Sequence, residues 1–277
     1  MRDMIKSVVN KWKQYKYRFV PWIALNLNDR SVRAVPKGTD DAIISNKAVN
    51  NFLQAFFMNL HDKEKSHVKD EHTVFKDRHT VFKENLDIMR KELGFVTERR
   101  CSLLEGGGQG VFVTRGTVPA GTIVSMYPGA VYEQYEPIFF QSLGNPFIFR
   151  CIDGVLIDGN DKNLSKFIYK SCHGRDRMGP ILSCDSTWLT ESPYNPLAVG
   201  QYVNNQSTKF PANVAYQEFD IPSDFPFRLR KYIPNVHYSA SIDSTTLNRL
   251  MRVVVLVSTR DIQCGEELFS TYFTVVQ

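Results

Sequence analysis

The run GGGQGVFV at residues 106–113 decides how the rest of the chain is read. A phosphate-binding loop would need a Lys-Ser/Thr pair and a helix after its glycines. A dinucleotide-binding turn would need an apolar strand before them and a helix after. This run has neither, because Val111, Phe112 and Val113 continue it as a β-prone apolar segment. What remains is a turn that feeds a strand, with glycines that let a ligand come close to the backbone.

The same texture extends to the C-terminus. From Cys101 onward, short apolar runs are punctuated by Gly, Pro, Asn and Asp, which predicts strands over 111–113, 123–126, 147–152, 155–157, 214–219 and 253–257. Asp153 and Gly154 between two of them predict a tight hairpin turn. Two polar, Pro-containing stretches, about 159–196 and 220–248, read as inserts in this β scaffold. Cys172 and His173 beside Asp176 are expected in a polar loop of the first insert, since no positioned base accompanies the thiol.

Toward the N-terminus the period changes to that of a helix. Val49, Phe52, Leu53, Phe56, Phe57 and Leu60 recur at three- and four-residue steps. The segment from His72 to Lys76 repeats as His79 to Lys83, and aligns Phe75 and Phe82 with Leu86, Met89 and Leu93 on a second helical seam. Over residues 1–20, Met4, Ile5, Val8, Val9, Trp12, Tyr15 and Phe19 predict a basic amphipathic helix that Pro21 ends. Residues 28–44, with Pro36 and Gly38, read as a loop.

Composition bounds the function classes. The chain has 277 residues, 43% of them apolar and 23% charged, enough to bury an ordinary core. Residues 1–100 hold 20 Lys/Arg and 13 Asp/Glu, a net +7, while 101–277 hold 14 and 16, a net −2. That asymmetry argues against nucleic-acid binding by the β-rich part. No uninterrupted apolar stretch is long enough to span a bilayer and no secretory signal opens the chain, so an intracellular protein is expected. The basic amphipathic start leaves mitochondrial, nuclear and cytosolic addresses open. Five cysteines without a C-x-x-C spacing predict reduced thiols and no metal site. The fold class expected is α+β, with a basic helical region over 1–99 and a mainly-β domain over 100–273.

Three distant segments sharpen the functional expectation when they are taken together. Gly108, Gln109 and Gly110 lead to Gly121 and to Tyr127, Pro128 and Gly129; Tyr202, Val203, Asn204 and Asn205 precede Pro211 and Asn213; Gly265, Glu266, Glu267 and Leu268 lead to Tyr272. This order resembles the SET-domain methyltransferases over roughly residues 100–273. Residues 15–27 and 145–150 resemble one vertebrate branch of that family, which carries the likeness into the N-terminal region. The resemblance implies small curved sheets with a C-terminal pseudo-knot, S-adenosylmethionine as cofactor and the lysine side chain of a protein as substrate. It places Gly108, Gln109, Gly110, Asn204, Asn205 and Tyr272 at the cofactor. It also implies two catalytic tyrosines, with the Tyr272 hydroxyl facing the transferred methyl and Tyr127 in the lysine channel.

The chain departs from that pattern at several positions. Asn205 stands where the family usually has histidine, Thr271 and Ala130 stand where it has acids, and no cysteine triad follows Tyr272. The alternative these departures support is a SET-fold protein-binding module with weak or no turnover. One of the inserts or the N-terminal helices is expected to close the site in place of a zinc-bearing flank. Tyr202 and Tyr216 are expected as core or rim residues with satisfied hydroxyls, and Glu267 as a structural carboxylate rather than a general base.

Overall fold

The structure, a computed structural model, describes residues 15–17, 33–35, 42–69, 77–177, 182–239, 250–271 and 273–276. Two short strands, β1 (Tyr15–Tyr17) and β2 (Arg33–Val35), come first. The helix expected over 1–20 therefore does not run through to Pro21, and the expected loop over 28–44 contains a strand. Pairing with a strand at the far end of the chain overrides the local amphipathic spacing, because β-structure is decided by partners more than by propensity. The other residues of 1–20 lie outside the described residues.

Helix α1 (Asn46–Lys69) forms where the period predicted it, and Ser45 Oγ accepts the Ala48 amide 3.2 Å away at its start. Its Val49, Leu53, Phe56, Phe57 and Leu60 are buried. Helix α2 (Arg78–Leu93) starts at Asp77, whose carboxylate accepts the Thr80 amide at 2.9 Å, and stops at Gly94, a left-handed C-cap with φ 82° that donates to Arg90 O. The cap falls between the two copies of the repeat. Only His79 to Lys83 belongs to the described helix, and His72 to Lys76 lie outside the described residues.

The β region follows as β3 (Phe95–Cys101), β4 (Gln109–Gly116), β5 (Ile123–Tyr127) and β6 (Gly129–Tyr132). A one-turn helix α3 (Phe139–Ser142), the strands β7 (Ile148–Arg150) and β8 (Leu156–Asp158), and helix α4 (Asn163–Arg175) come next. The chain closes with β9 (Asn204–Asn205), β10 (Val214–Ile221), β11 (Asn235–His237), β12 (Met251–Ser258), β13 (Phe269–Ser270) and β14 (Phe273–Val276). The expected hairpin at Asp153 and Gly154 joins β7 to β8. Cys172 and His173 sit in α4 rather than in a polar loop. Ser165, Tyr169 and Cys172 recur at helical spacing and bury one face of α4.

Among the described residues the strands form five small sheets. They are ordered β1-β14-β2, β10-β12-β5, β11-β6-β8-β7, β13-β9 and β3-β4. Strand β12 is central in its sheet, and its Val253, Val254, Val255, Leu256 and Val257 are all buried, so both of its faces are covered. One apolar cluster runs from Phe56, Phe57 and Met89 on the helices through Val113 and Leu256 to Leu268. A smaller cluster around Tyr132, Tyr169 and Trp188 lies under α4.

Candidate functional site

The C-terminal segment is held from two sides. On one side it follows β4, with Leu268 N donating to Val111 O (2.7 Å) and Val113 N to Glu266 O (3.0 Å). On the other, β13 lies parallel to β9 with Phe269 opposite Asn204 and Ser270 opposite Asn205. Asn213 clamps the segment again: its side chain donates to Glu267 O and accepts from Phe269 N, both at 2.8 Å. Residues near 100, 200 and 270 are thereby brought to one place.

At that place Asn204 Nδ2 lies 2.9 Å from Gln109 O, 3.0 Å from Ser102 Oγ and 3.1 Å from Glu267 Oε1. Glu267 is 2% exposed, and its carboxylate also accepts from Ser102 Oγ and Leu103 N at 2.7 Å each. Its acceptor sites are spent on joining three segments, which matches the expected structural role. A Cβ at Gly110 would collide with this carboxylate, so the close approach of strand to Glu267 depends on glycine. Gly108 and Gln109 are exposed beside it, and Asn204 and Asn205 are half-buried.

The structure thus joins Gln109, Gly110 and Asn204 directly and places Gly108 and Asn205 next to them. Tyr127 lies apart, fully buried in the β10-β12-β5 sheet. Its hydroxyl donates to Phe147 O at 2.7 Å, and its ring sits 5.3 Å from that of Phe149 and 6.3 Å from that of Tyr216. The link back to the motif residues is Phe147, whose ring meets Tyr202 edge-on at 6.3 Å. Tyr272 lies outside the described residues.

A cleft of about 310 Å³ opens beside these motifs, within the usual range of small-ligand sites. Gln109, Arg99 and Tyr202 line one part of it, and Trp188, Thr190 and Pro193 from the first insert line another. Sequence reasoning missed Arg99, and expected Tyr202 as a core or rim residue with its hydroxyl satisfied. In the structure Tyr202 is half-buried, accepts from Arg99 Nη1 at 2.8 Å and donates to Asp161 Oδ2 at 2.6 Å. Burial, and then the Asp161 acceptor, push the Tyr202 hydroxyl above its ordinary pKa, so it keeps the proton it donates. The three partners are far apart in sequence, and no local spacing signals them.

Two other clusters carry less chemistry. His173 Nδ1 lies 3.2 Å from Cys184 Sγ, but burial pushes that thiol up to about 12 and lowers the imidazole, so the pair is neutral at pH 7. Cys151, Asp153 and Glu218 are close enough to share a cation. The Arg252 guanidinium already occupies that position, 2.9 Å from Glu218, 3.0 Å from Asp153 and 2.7 Å from Asp220.

The chain is 51% identical over 299 residues to SET domain-containing protein 9 of Homo sapiens, across 99% of this chain and 98% of that protein. It is 61% identical over 186 residues to SET domain-containing protein 9 of Pongo abelii, across 67% of this chain and 66% of that one. Among solved structures it is similar to ctPRC2 in an autoinhibited conformation bound to S-adenosylmethionine, with a TM-score of 0.36 at 14% identity. A humanized mutant of the Chaetomium thermophilum Polycomb Repressive Complex 2 bound to the inhibitor GSK126 gives 0.34 at 14% identity. Both similarities cover 71% of this chain and 18% of the solved one. No family model matches the chain.

Proposed function

The chain belongs to the SET-domain family, and from that premise we propose that it is an S-adenosylmethionine-dependent methyltransferase acting on the lysine side chain of a protein. The observation that carries the proposal is the convergence of Gln109, Asn204 and Glu267 from three distant segments beside a ligand-sized cleft. Gly108 and Gln109 are exposed at the turn, so a ligand in the cleft can come close to their backbone. When bound, S-adenosylmethionine supplies an electrophilic methyl on a sulfonium, which needs no covalent enzyme intermediate.

The work left to the protein is to present a neutral amine in line with that methyl. At pH 7 a lysine with pKa near ~10.4 is neutral about once in ~2,500, a penalty of roughly 4.6 kcal/mol. A channel that strips water from the amine lowers its pKa, and a nearby positive charge lowers it further. Alignment of the reacting atoms contributes more, roughly 7 to 11 kcal/mol, so positioning is the larger task. We assign Gly108, Gln109, Gly110, Asn204 and Asn205 to holding the cofactor, Tyr127 to shaping the channel from within the sheet, and Tyr272 to the methyl-transfer point.

The test is to titrate the protein with S-adenosylmethionine by calorimetry and then to assay methyl incorporation into protein extracts for wild type and Tyr272→Phe. Binding and transfer by wild type, with transfer reduced on the order of a hundredfold in the variant, is the expected result. Failure of the wild type to bind the cofactor would sink the proposal. Binding without transfer would favour the protein-binding module that Asn205 and Thr271 suggest.

A further inference from the structure

We propose that Arg99 is the anchor for the carboxylate of S-adenosylmethionine, an assignment that rests on the methyltransferase reading and adds a residue to it. Arg99 is the sole Lys or Arg among the described residues that line the 310 Å³ cleft, and Gln109 lines the same cleft. The carboxylate is the one anionic group of that cofactor, and a guanidinium can engage it through two parallel N–H donors.

The side chain is pre-set for that task. Its Nη1 donates to Tyr202 Oη at 2.8 Å, and its central carbon stands 4.8 Å from the centroid of the same ring. Tyr202 gives its own proton to Asp161, which turns a hydroxyl lone pair toward Arg99. Asp161 sits just before α4, and Tyr202 sits two residues before Asn204. The chain Asp161–Tyr202–Arg99 therefore fixes a cation at the cleft, at the base of the segment that carries Asn204 and Asn205. A guanidinium has five N–H donors, and the described structure gives Arg99 this one bond, so donors are left over for a ligand. Holding the cation in place before the ligand arrives reduces the ordering cost of binding. Glu191 on the wall of the same cleft suits the positive amine of the ligand.

The experiment compares S-adenosylmethionine with decarboxylated S-adenosylmethionine, which keeps the sulfonium, the amine and the nucleoside. Affinities are measured by calorimetry on the full chain for wild type, R99Q, R99K and Tyr202→Phe. Wild type is expected to prefer the intact cofactor, and R99Q to lose about tenfold or more for it while its affinity for the decarboxylated ligand changes by less than about twofold. R99K retains part of the preference through its charge, and Tyr202→Phe gives a smaller loss with the same selectivity. An equal loss for both ligands in R99Q, or no loss for either, overturns the assignment and leaves the methyltransferase reading standing. If wild type binds neither ligand, the methyltransferase reading falls and takes the assignment with it.

Discussion

At the scale of single residues, the site is organised by one buried carboxylate. Glu267 answers Ser102, Leu103 and Asn204 at once, and Gly110 is small enough to let it do so. Gly110→Ala places a methyl where the carboxylate lies, so strand and carboxylate must separate. A loss of about 1–3 kcal/mol is expected, from overpacking together with weakened bonds to Glu267. Thermal melts should report it, accompanied by weaker S-adenosylmethionine binding. Asp185 offers a residue-scale prediction of another kind. It is fully enclosed, accepts from Thr187 N (2.7 Å) and Asn195 N (3.3 Å), and burial raises its pKa from 3.8 to about 6. Between about pH 4 and 6 the folded state therefore holds a proton that the unfolded state has lost, so this contribution is present at low pH and disappears as pH rises through 6. Asp185→Asn removes the titration at a constant hydrogen-bond offset. Relative to the variant, wild type is expected to lose about 2 kcal/mol between pH 4 and 7, measured by urea denaturation across that range.

Elements show where sequence was informative and where it was not. Strand β12 carries Arg252 directly opposite Asp220 of β10, and the same guanidinium reaches Glu218 and the β7–β8 turn at Asp153. Arg252→Met keeps most of the volume but leaves three carboxylates without their cation. The expected cost is about 2 kcal/mol or more, discounted for the partial exposure of Asp153 and Asp220, and read as a shifted urea midpoint at constant slope. The strands of this sheet were legible because their apolar runs are buried whatever the partner, and α1 and α2 because a buried stripe must recur at the helical period. Strand β3 was not legible, because Glu98, Arg99 and Arg100 interrupt its apolar pattern. Helix α4 was hidden for a related reason, since Leu164 and Phe167 on its outer side are 46% and 71% exposed and blur the contrast between its faces. Within the site, the order of motifs pointed to Gln109, Asn204 and Glu267, whereas the Arg99–Tyr202–Asp161 chain depends on contacts 103 and 41 residues apart that no local pattern encodes.

For the whole molecule, the basic helical region and the near-neutral β region differ in charge but share an interior. Phe57 of α1 meets Phe225 edge-on at 6.4 Å and the Tyr232 ring at 5.7 Å, both from the second insert. Gln217 of β10 accepts from the amides of Ile43 and Ile44 and donates back to Ile44 O. At the other end of the chain, β14 is flanked by β1 on one edge and β2 on the other, so the strand that follows Tyr272 is paired with N-terminal backbone. Removing residues 1–94 would uncover the Phe225, Leu229 and Tyr232 face and strip both neighbours from β14. The truncated chain is therefore expected to be insoluble or molten, and the full chain to unfold in a single transition by both near- and far-UV circular dichroism. Phe57→Ala tests the same point without truncation. A buried phenylalanine costs about 3–5 kcal/mol when reduced to alanine, and if helices and sheets form one cooperative unit the helical and tertiary signals must fall together. Separate transitions in that variant, with the tertiary signal of the β region persisting after the helices melt, would show that the sheets stand without α1.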